Sequence, residues 1–329
     1  MRTLKILYAG SPLASSLVLK NLLALGNDHG YEIVGVLTNP PASRGRHSDL
    51  IPTEVACLAR QKNIPVFAFD HLMGEAREAI APLAADLLLS FDYGRIFGPK
   101  FLALFPLGGI NLHPSALPKY RGCTPVPAAI LNGDKNLGLC VQKLALKMDE
   151  GDILAETGIP LDGSETTLSL MDGDGRQSPV SEAGTKLLDG LLSAIVSASD
   201  GNTFALPAAK AQNGQVSYTG FLKKEDGRID WNKSAADIER TIRAYTPSPL
   251  CFTTWNGMNL LILKAKVGAA TTTEKPGKVL PYQKSVGIEI ACGDGSVLVA
   301  RELQQQAKKA MDYKSFMNGA RNFIGAVLG

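Results

Sequence analysis

The chain has 329 residues, 45% of them apolar and 20% charged, with a formal net charge of +3. That length suits two domains with a sizeable core and excludes a disordered chain. No apolar run reaches the ~18 residues of a membrane span. Five scattered cysteines without a Cys-x-x-Cys pair argue against a disulfide framework or a zinc cluster, and four histidines are too few for a His-rich metal site. The first ten residues enter a strand pattern without an apolar leader, so the reducing cytoplasm is the expected compartment.

Over the first ~155 residues strand-like and helix-like runs alternate. Lys5–Ala9 is a short apolar strand ending at Gly10-Ser11-Pro12, and helical spacing follows over 13–25, closing at Gly26. A second strand is expected over 33–37, then a Pro/Gly/Arg-rich loop over 39–49. Helices are expected over 52–62 and 75–83, with a short strand at 66–67 between them. The run 86–91 is apolar on both faces, as buried parallel strands are, and 109–113 is the next strand. This alternation predicts an α/β domain built on a doubly wound, mostly parallel sheet. Two neighbouring strands then appear, 137–144 and 152–156, around the turn Met148-Asp-Glu-Gly-Asp152. A helix over 182–199 ends the domain.

Residues 199–214 are small, polar and Pro/Gly-bearing, which suits a linker. Ser234-Ala-Ala-Asp237 opens a helix running to Ala244, stopped by Pro247. Short strand-like runs at 250–255, 260–267, 277–280, 287–291 and 296–300 predict a small β-barrel of OB-like type. The expected division is 1–199, a linker at 200–212, and 213–329. Charge follows it: residues 1–200 carry 17 Lys and Arg against 21 Asp and Glu, and residues 201–329 carry 17 against 10. A basic C-terminal part predicts a polyanionic partner.

A dinucleotide site at Gly10-Ser11-Pro12 is excluded, because Gly-x-Gly-x-x-Gly is absent and Pro12 stands where glycine is needed. The turn could still face an anion at a helix start. Asn111 and His113 are two apart on a strand and project from one face, at the carboxyl end where open α/β sheets carry their sites. Pro114 and Pro118 then force extended backbone. An Asn-x-His pair alone is commonly a satisfied buried pair. Asp149, closing on His113 from its turn, would instead fix the imidazole's tautomer.

The run Asn111-x-His113-x-Ser115-x-Leu117-Pro118, with Arg121-Gly122 behind it and Asp149-x-Gly151-Asp152 after it, resembles the formyltetrahydrofolate-dependent transferase family. Arg228-Ile-Asp-Trp231, residues 235–246 and Lys308-Lys-Ala-Met311 resemble the C-terminal domain of those members that act on initiator methionyl-tRNA. The resemblance covers the whole chain. It implies a Rossmann-like formyltransferase fold, 10-formyltetrahydrofolate as co-substrate, no metal, initiator methionyl-tRNA as partner, and neither membrane nor DNA. Two features depart from the family pattern. Its usual Ser-Leu-Leu-Pro is here Ser115-Ala-Leu-Pro118, and residues 172–179 read as an insertion.

By the same resemblance Asn111, His113 and Asp149 are the expected catalytic set. Asn111 and a protonated His113 would donate to the oxyanion formed by amine attack on the formyl carbon, and Asp149 would orient His113. Ser115, Ala116, Leu117 and Pro118 are expected to meet the folate, mainly through backbone, with Tyr93 and Gly94 lining the pterin pocket. Arg44, Arg46, Lys119, Arg121, Lys308 and Lys309 are the expected tRNA contacts. Cys123 is set aside as a nucleophile, because no second histidine is placed to activate it. Two alternatives share the catalytic set: a formyltransferase acting on a sugar-nucleotide amine, and a formyltetrahydrofolate hydrolase. Neither requires a basic second domain.

Overall fold

The computed structural model describes residues 2–43 and 49–329. In chain order the elements are β1 (Leu4–Ala9), α1 (Leu13–His29), β2 (Tyr31–Thr38), β3 (Ala42–Ser43), β4 (Leu50–Ile51), α2 (Glu54–Gln61), β5 (Val66–Ala68), α3 (Gly74–Ile80), β6 (Leu87–Ser90), α4 (Pro99–Leu102), β7 (Gly109–His113), β8 (Arg121–Gly122), α5 (Pro125–Leu131), β9 (Asn136–Lys143) and β10 (Ile153–Pro160). They continue with α6 (Thr167–Met171), α7 (Pro179–Ser197), β11 (Tyr218–Thr219), α8 (Ala235–Ala244), β12 (Cys251–Trp255), β13 (Met258–Thr271), β14 (Ile288–Ala291), β15 (Ser296–Gln305), β16 (Met311–Asp312) and α9 (Tyr313–Gly319).

The first unit holds a seven-stranded sheet in the order β10-β9-β7-β6-β1-β2-β5. Strands β7, β6, β1, β2 and β5 are parallel. The β9–β10 hairpin joins antiparallel beside β7. All four residues of β6 are buried, as expected for a central strand covered on both faces. One face packs on an aromatic cluster of Tyr93, Phe97, Phe101 and Phe105, with Leu7, Leu37 and Leu88 from the strands.

Helix α1 runs four residues past its expected end, to His29, and Gly30 closes it in the left-handed conformation. Gly26 lies inside the helix, where it faces the carbonyl of Tyr31 so closely that a Cβ would come within 2.6 Å. No side chain within the helix caps its start, which follows Pro12. The carboxylate of Asp172 takes the Ala14 N–H there instead, so the anion expected at this helix start comes from the chain itself. The 172–179 segment thus ends two helices: Asp172 caps α1, and Ser178 with Ser181 forms the capping box of α7.

The two units divide differently from the expected linear split. The first comprises residues 1–125, 136–160 and 169–219; the second comprises 126–135, 161–168 and 220–329. The whole of the expected linker, 200–212, therefore belongs to the first unit. Lys210 exchanges both backbone hydrogen bonds with Ile153 at the start of β10, at 2.7 and 2.8 Å. The 161–168 excursion is bound within the second unit: Thr167 Oγ1 donates to the Ala244 carbonyl at 2.7 Å and an Arg243 guanidinium N–H donates to that of Glu165 at 2.9 Å.

The second unit is an antiparallel barrel. Strands β12, β13, β15 and β14 pair in that order, and β16 adds to β15. Two irregular segments complete the ring. Thr254 of β12 donates to Gly329 at 2.8 Å, Leu328 donates to Gly277 at 3.0 Å, and Ala291 of β14 donates to Lys278 at 2.9 Å. The expected strand at 277–280 is this closing piece. Ile229 and Trp231 of the Arg228–Trp231 motif are buried, and the Trp231 indole donates to Thr253 at 3.0 Å, so the motif anchors the barrel.

Leu328 is 3% exposed inside the closing segment. Leu328→Ala is expected to lower barrel stability by about 2–5 kcal/mol through the cavity it leaves. Trp231 and Trp255, the chain's two tryptophans, both lie in this unit, so their fluorescence during urea unfolding reads the effect directly. An unchanged midpoint would mean the ring does not depend on this residue.

Candidate active site

Strand β7 ends at the carboxyl edge of the parallel sheet. Asn111 stands between Ser90 of β6 and Gln142 of β9, and His113 stands opposite Cys140. Asn111 is half-buried, and its carboxamide has no hydrogen-bond partner among the described residues. His113 is 5% exposed, with Nε2 2.9 Å from the Tyr120 carbonyl oxygen. A carbonyl oxygen only accepts, so Nε2 carries hydrogen and Nδ1 is the nitrogen left to take or lose a proton. Nδ1 lies 3.7 Å from Asp149 Oδ1, close enough for strong attraction and too far for a direct hydrogen bond.

Asp149 sits in a left-handed turn at φ 55°. Its Oδ2 accepts the Gly122 N–H at 2.7 Å, and its Oδ1 accepts the Gln142 amide at 2.7 Å. The glycines of both sequence motifs follow from packing. A Cβ on Gly122 would lie 2.1 Å from the Thr219 carbonyl oxygen, and one on Gly151 would lie 1.7 Å from that of Lys143. Gln142 is 2% exposed, a buried amide directly after the apolar run Leu137–Val141. Sequence reasoning missed it, although a lone polar residue there was a legible signal.

Residues 210–219 complete the frame. Ser217 Oγ accepts the Tyr120 N–H at 2.9 Å, steadying the carbonyl that holds His113. Gln212 Nε2 donates to the Asp149 and Gly151 carbonyls at 2.7 and 2.8 Å. Its Oε1 accepts from Arg121 Nε and Nη2 at 3.1 and 2.8 Å. The remaining Arg121 amine reaches the Tyr218 hydroxyl at 2.9 Å and Glu150 at 3.1 Å. Arg121, expected to face RNA, is therefore turned inward, 8% exposed, with its donors filled by protein groups.

The other expected residues are scattered around this centre. The Ser115 hydroxyl is buried and donates to the Lys119 carbonyl at 2.7 Å. Ala116 is exposed. The Leu117 side chain packs inward with Cys140 and Ile153, and the Leu117–Pro118 peptide is cis. Tyr93 belongs to the aromatic cluster, its ring stacked on Phe97 at 5.3 Å. Its hydroxyl is buried without a partner among the described residues, and desolvation pushes the phenol up to about 12. Gly94 is left-handed at φ 78°, with open space where a Cβ would point. Lys119, Lys308 and Lys309 are exposed, whereas Arg44 and Arg46 lie outside the described residues.

Two further groups flank the centre. Asp92, at the end of β6, keeps an exposed surface, yet protein atoms crowd its carboxyl. Desolvation, then the charge of Asp172, raises it to about 6. Burial, then Asp149 and Asp92, also push the Cys123 thiol up, which removes the thiolate a nucleophile would need. Among the described residues no group of three His, Cys, Asp or Glu is arranged to hold a metal ion.

An open α/β sheet carrying an Asn-x-His strand end and a carboxylate turn defines a class, and comparison with known proteins agrees. Residues 4–176 match the formyl transferase family model, and residues 222–321 match that of the formyl transferase C-terminal domain. The chain belongs to the formyl transferase family. It is 40% identical over 334 residues to a methionyl-tRNA formyltransferase of Treponema denticola, covering 98% of each chain. It is 38% identical over 338 residues to that of Treponema pallidum, covering 99% of each. Among solved structures it shares its fold with HypX from Aquifex aeolicus in complex with tetrahydrofolic acid, at TM-score 0.60 and 15% identity, covering 97% of this chain and 48% of that one.

The raised Asp92 carboxyl has a consequence for stability. An unfolded aspartate loses its proton near 3.8, whereas folded Asp92 keeps its proton up to about 6. Its contribution therefore turns unfavourable as pH rises through that window and stays so above it. Asp92→Asn is expected to raise the melting temperature at pH 7 and to change it little at pH 4. Calorimetry at both values checks this, and an equal shift at the two would overturn the assignment.

Proposed function

We propose that the chain transfers the formyl group of 10-formyltetrahydrofolate to the α-amino group of methionyl initiator tRNA. Family membership and full-length similarity to the two treponemal enzymes support the reading. The observation that carries it is the Asn111 carboxamide, without a hydrogen-bond partner among the described residues, on the strand that ends at the His113–Asp149 pair. The surroundings suit a folate. The Tyr93 hydroxyl is buried without a partner among the described residues, Gly94 opens onto free space, and Ala116 is exposed beside Ser115. The folate supplies an activated one-carbon unit.

The protein's part is positioning, charge stabilisation and proton movement. A free α-amine titrates at roughly 7.7–8.0, and esterification lowers this, so a neutral nucleophile needs no strong base. Asn111 donates an N–H to the formyl oxygen, where negative charge gathers during transfer. His113 takes the amine's proton on Nδ1 and passes a proton to the departing nitrogen, while Tyr120 fixes the ring and Asp149 balances the imidazolium charge. The first unit carries this chemistry. The second, with Lys308 and Lys309, meets tRNA phosphates, and Lys119 with Arg44 and Arg46 meets the acceptor end. Arg121 serves the frame of the site.

The deciding experiment offers formyl-labelled folate to charged initiator tRNA, a sugar-nucleotide amine and water together. Acid-stable label on the tRNA is expected; label on the sugar, or free formate alone, would favour a relative's activity. Asn111→Ala is expected to lower kcat ~100-fold or more with little change in KM, as loss of one oxyanion donor does. Near-normal kcat in a folded Asn111→Ala protein would remove that role. Binding of tRNA is also expected to weaken steeply with added salt while folate binding holds, because counterion release scales with phosphate contacts.

A further inference from the structure

The sequence between 199 and 214 reads as a spacer, yet one of its side chains holds the carboxylate turn. Gln212 Nε2 meets the carbonyl oxygens of Asp149 and Gly151, and its Oε1 meets two N–H groups of Arg121. A guanidinium only donates and a carbonyl only accepts, so this arrangement fixes which way the amide points. A glutamate would keep the Arg121 contacts but set lone pairs against two carbonyl oxygens. A methionine of similar length would satisfy neither side.

The backbone of the same stretch is anchored at both ends. Lys210 pairs with Ile153, and Ser217 donates to the Pro118 carbonyl at 3.2 Å while accepting from Tyr120. Residues 210–219 thus touch both partners of the pair: the His113 side through Tyr120, and the Asp149 side through Gln212. The left-handed Asp149 backbone has the donors of Gln212 as its external restraint, and its carboxylate is aimed by Gly122 and Gln142.

We infer that Gln212 is a positioning residue for formyl transfer, holding the Asp149 turn so that its carboxylate faces His113 Nδ1 across the observed gap. The inference rests on the proposed roles of His113 and Asp149. Without the amide, the turn is free to carry Asp149 off the imidazole, and the proton-bearing nitrogen loses its counter-charge during transfer. Displacement of this kind acts on the rate of the chemical step and leaves substrate affinity nearly unchanged.

The test is a double-mutant cycle in the full-length protein, using Gln212→Met and Asp149→Asn singly and together, with formyl-labelled folate and charged initiator tRNA. Gln212→Met is expected to lower kcat ~10-fold or more, with KM for both substrates within ~3-fold. In the Asp149→Asn background the same change is expected to cost less than ~2-fold, because the group it positions is already gone. Equal factors in both backgrounds would show a structural role and overturn the inference, as would a kcat unchanged in Gln212→Met. Full activity in Asp149→Asn alone would instead overturn the reading of the site. If Gln212→Met does not fold, Gln212→Glu, which retains the Arg121 contacts, takes its place under the same criteria. Failure of both to fold would also make Gln212 a structural residue and overturn the inference.

Discussion

The site depends on a carboxylate whose two oxygens are both occupied before any substrate arrives. Gly122 and Gln142 fill Asp149 at 2.7 Å each, while Tyr120 fills the far nitrogen of His113. His113 Nδ1 faces this carboxylate without a direct hydrogen bond. The paired groups on either side fix both side chains, and this lets a 3.7 Å separation persist without collapsing into a contact. Two close backbone approaches support it, at Gly122 and Gly151, where a side chain would not fit, and Asp149 between them adopts the left-handed conformation.

The sheet's topology explains why these residues meet. Parallel strands β6 and β7 end at the same edge, and the antiparallel β9 returns along β7 to lay Gln142 beside Asn111. Strand β9 ends opposite Ile110, and the loop that follows it doubles back so that Asp149 meets Gln142 and faces His113. That loop brings a carboxylate 36 residues distant in sequence onto the histidine.

Much of this was written in the sequence. The strand periods, the Ser234 cap and the Pro247 stop put β1, β2, β6, β7 and α8 within a few residues of their observed ends, because local sterics and burial determine them. The motif residues Asn111, His113 and Asp149 were legible through spacing and resemblance. Gly26 misled as a helix end, since its role is close approach to Tyr31 and nothing local distinguishes that from a cap. The short helices α4, α5 and α6 were missed, being only 4, 7 and 5 residues long and too short to display a period.

The sequence by itself determined the two-part composition, the α/β alternation and the short strands of the barrel. These rest on periodicity and charge along neighbouring positions, while Asn111, His113 and Asp149 were singled out by resemblance. Only the tertiary structure decided that the units interleave along the chain, that Arg121 faces inward, and that residues 325–329 close the barrel through 277–280. It alone brought Gln212 and Ser217 to the frame of the His113–Asp149 pair. Those contacts join residues some 60 to 100 positions apart through backbone N–H and carbonyl groups, which nearly every residue possesses, so no local pattern of side chains could have announced them.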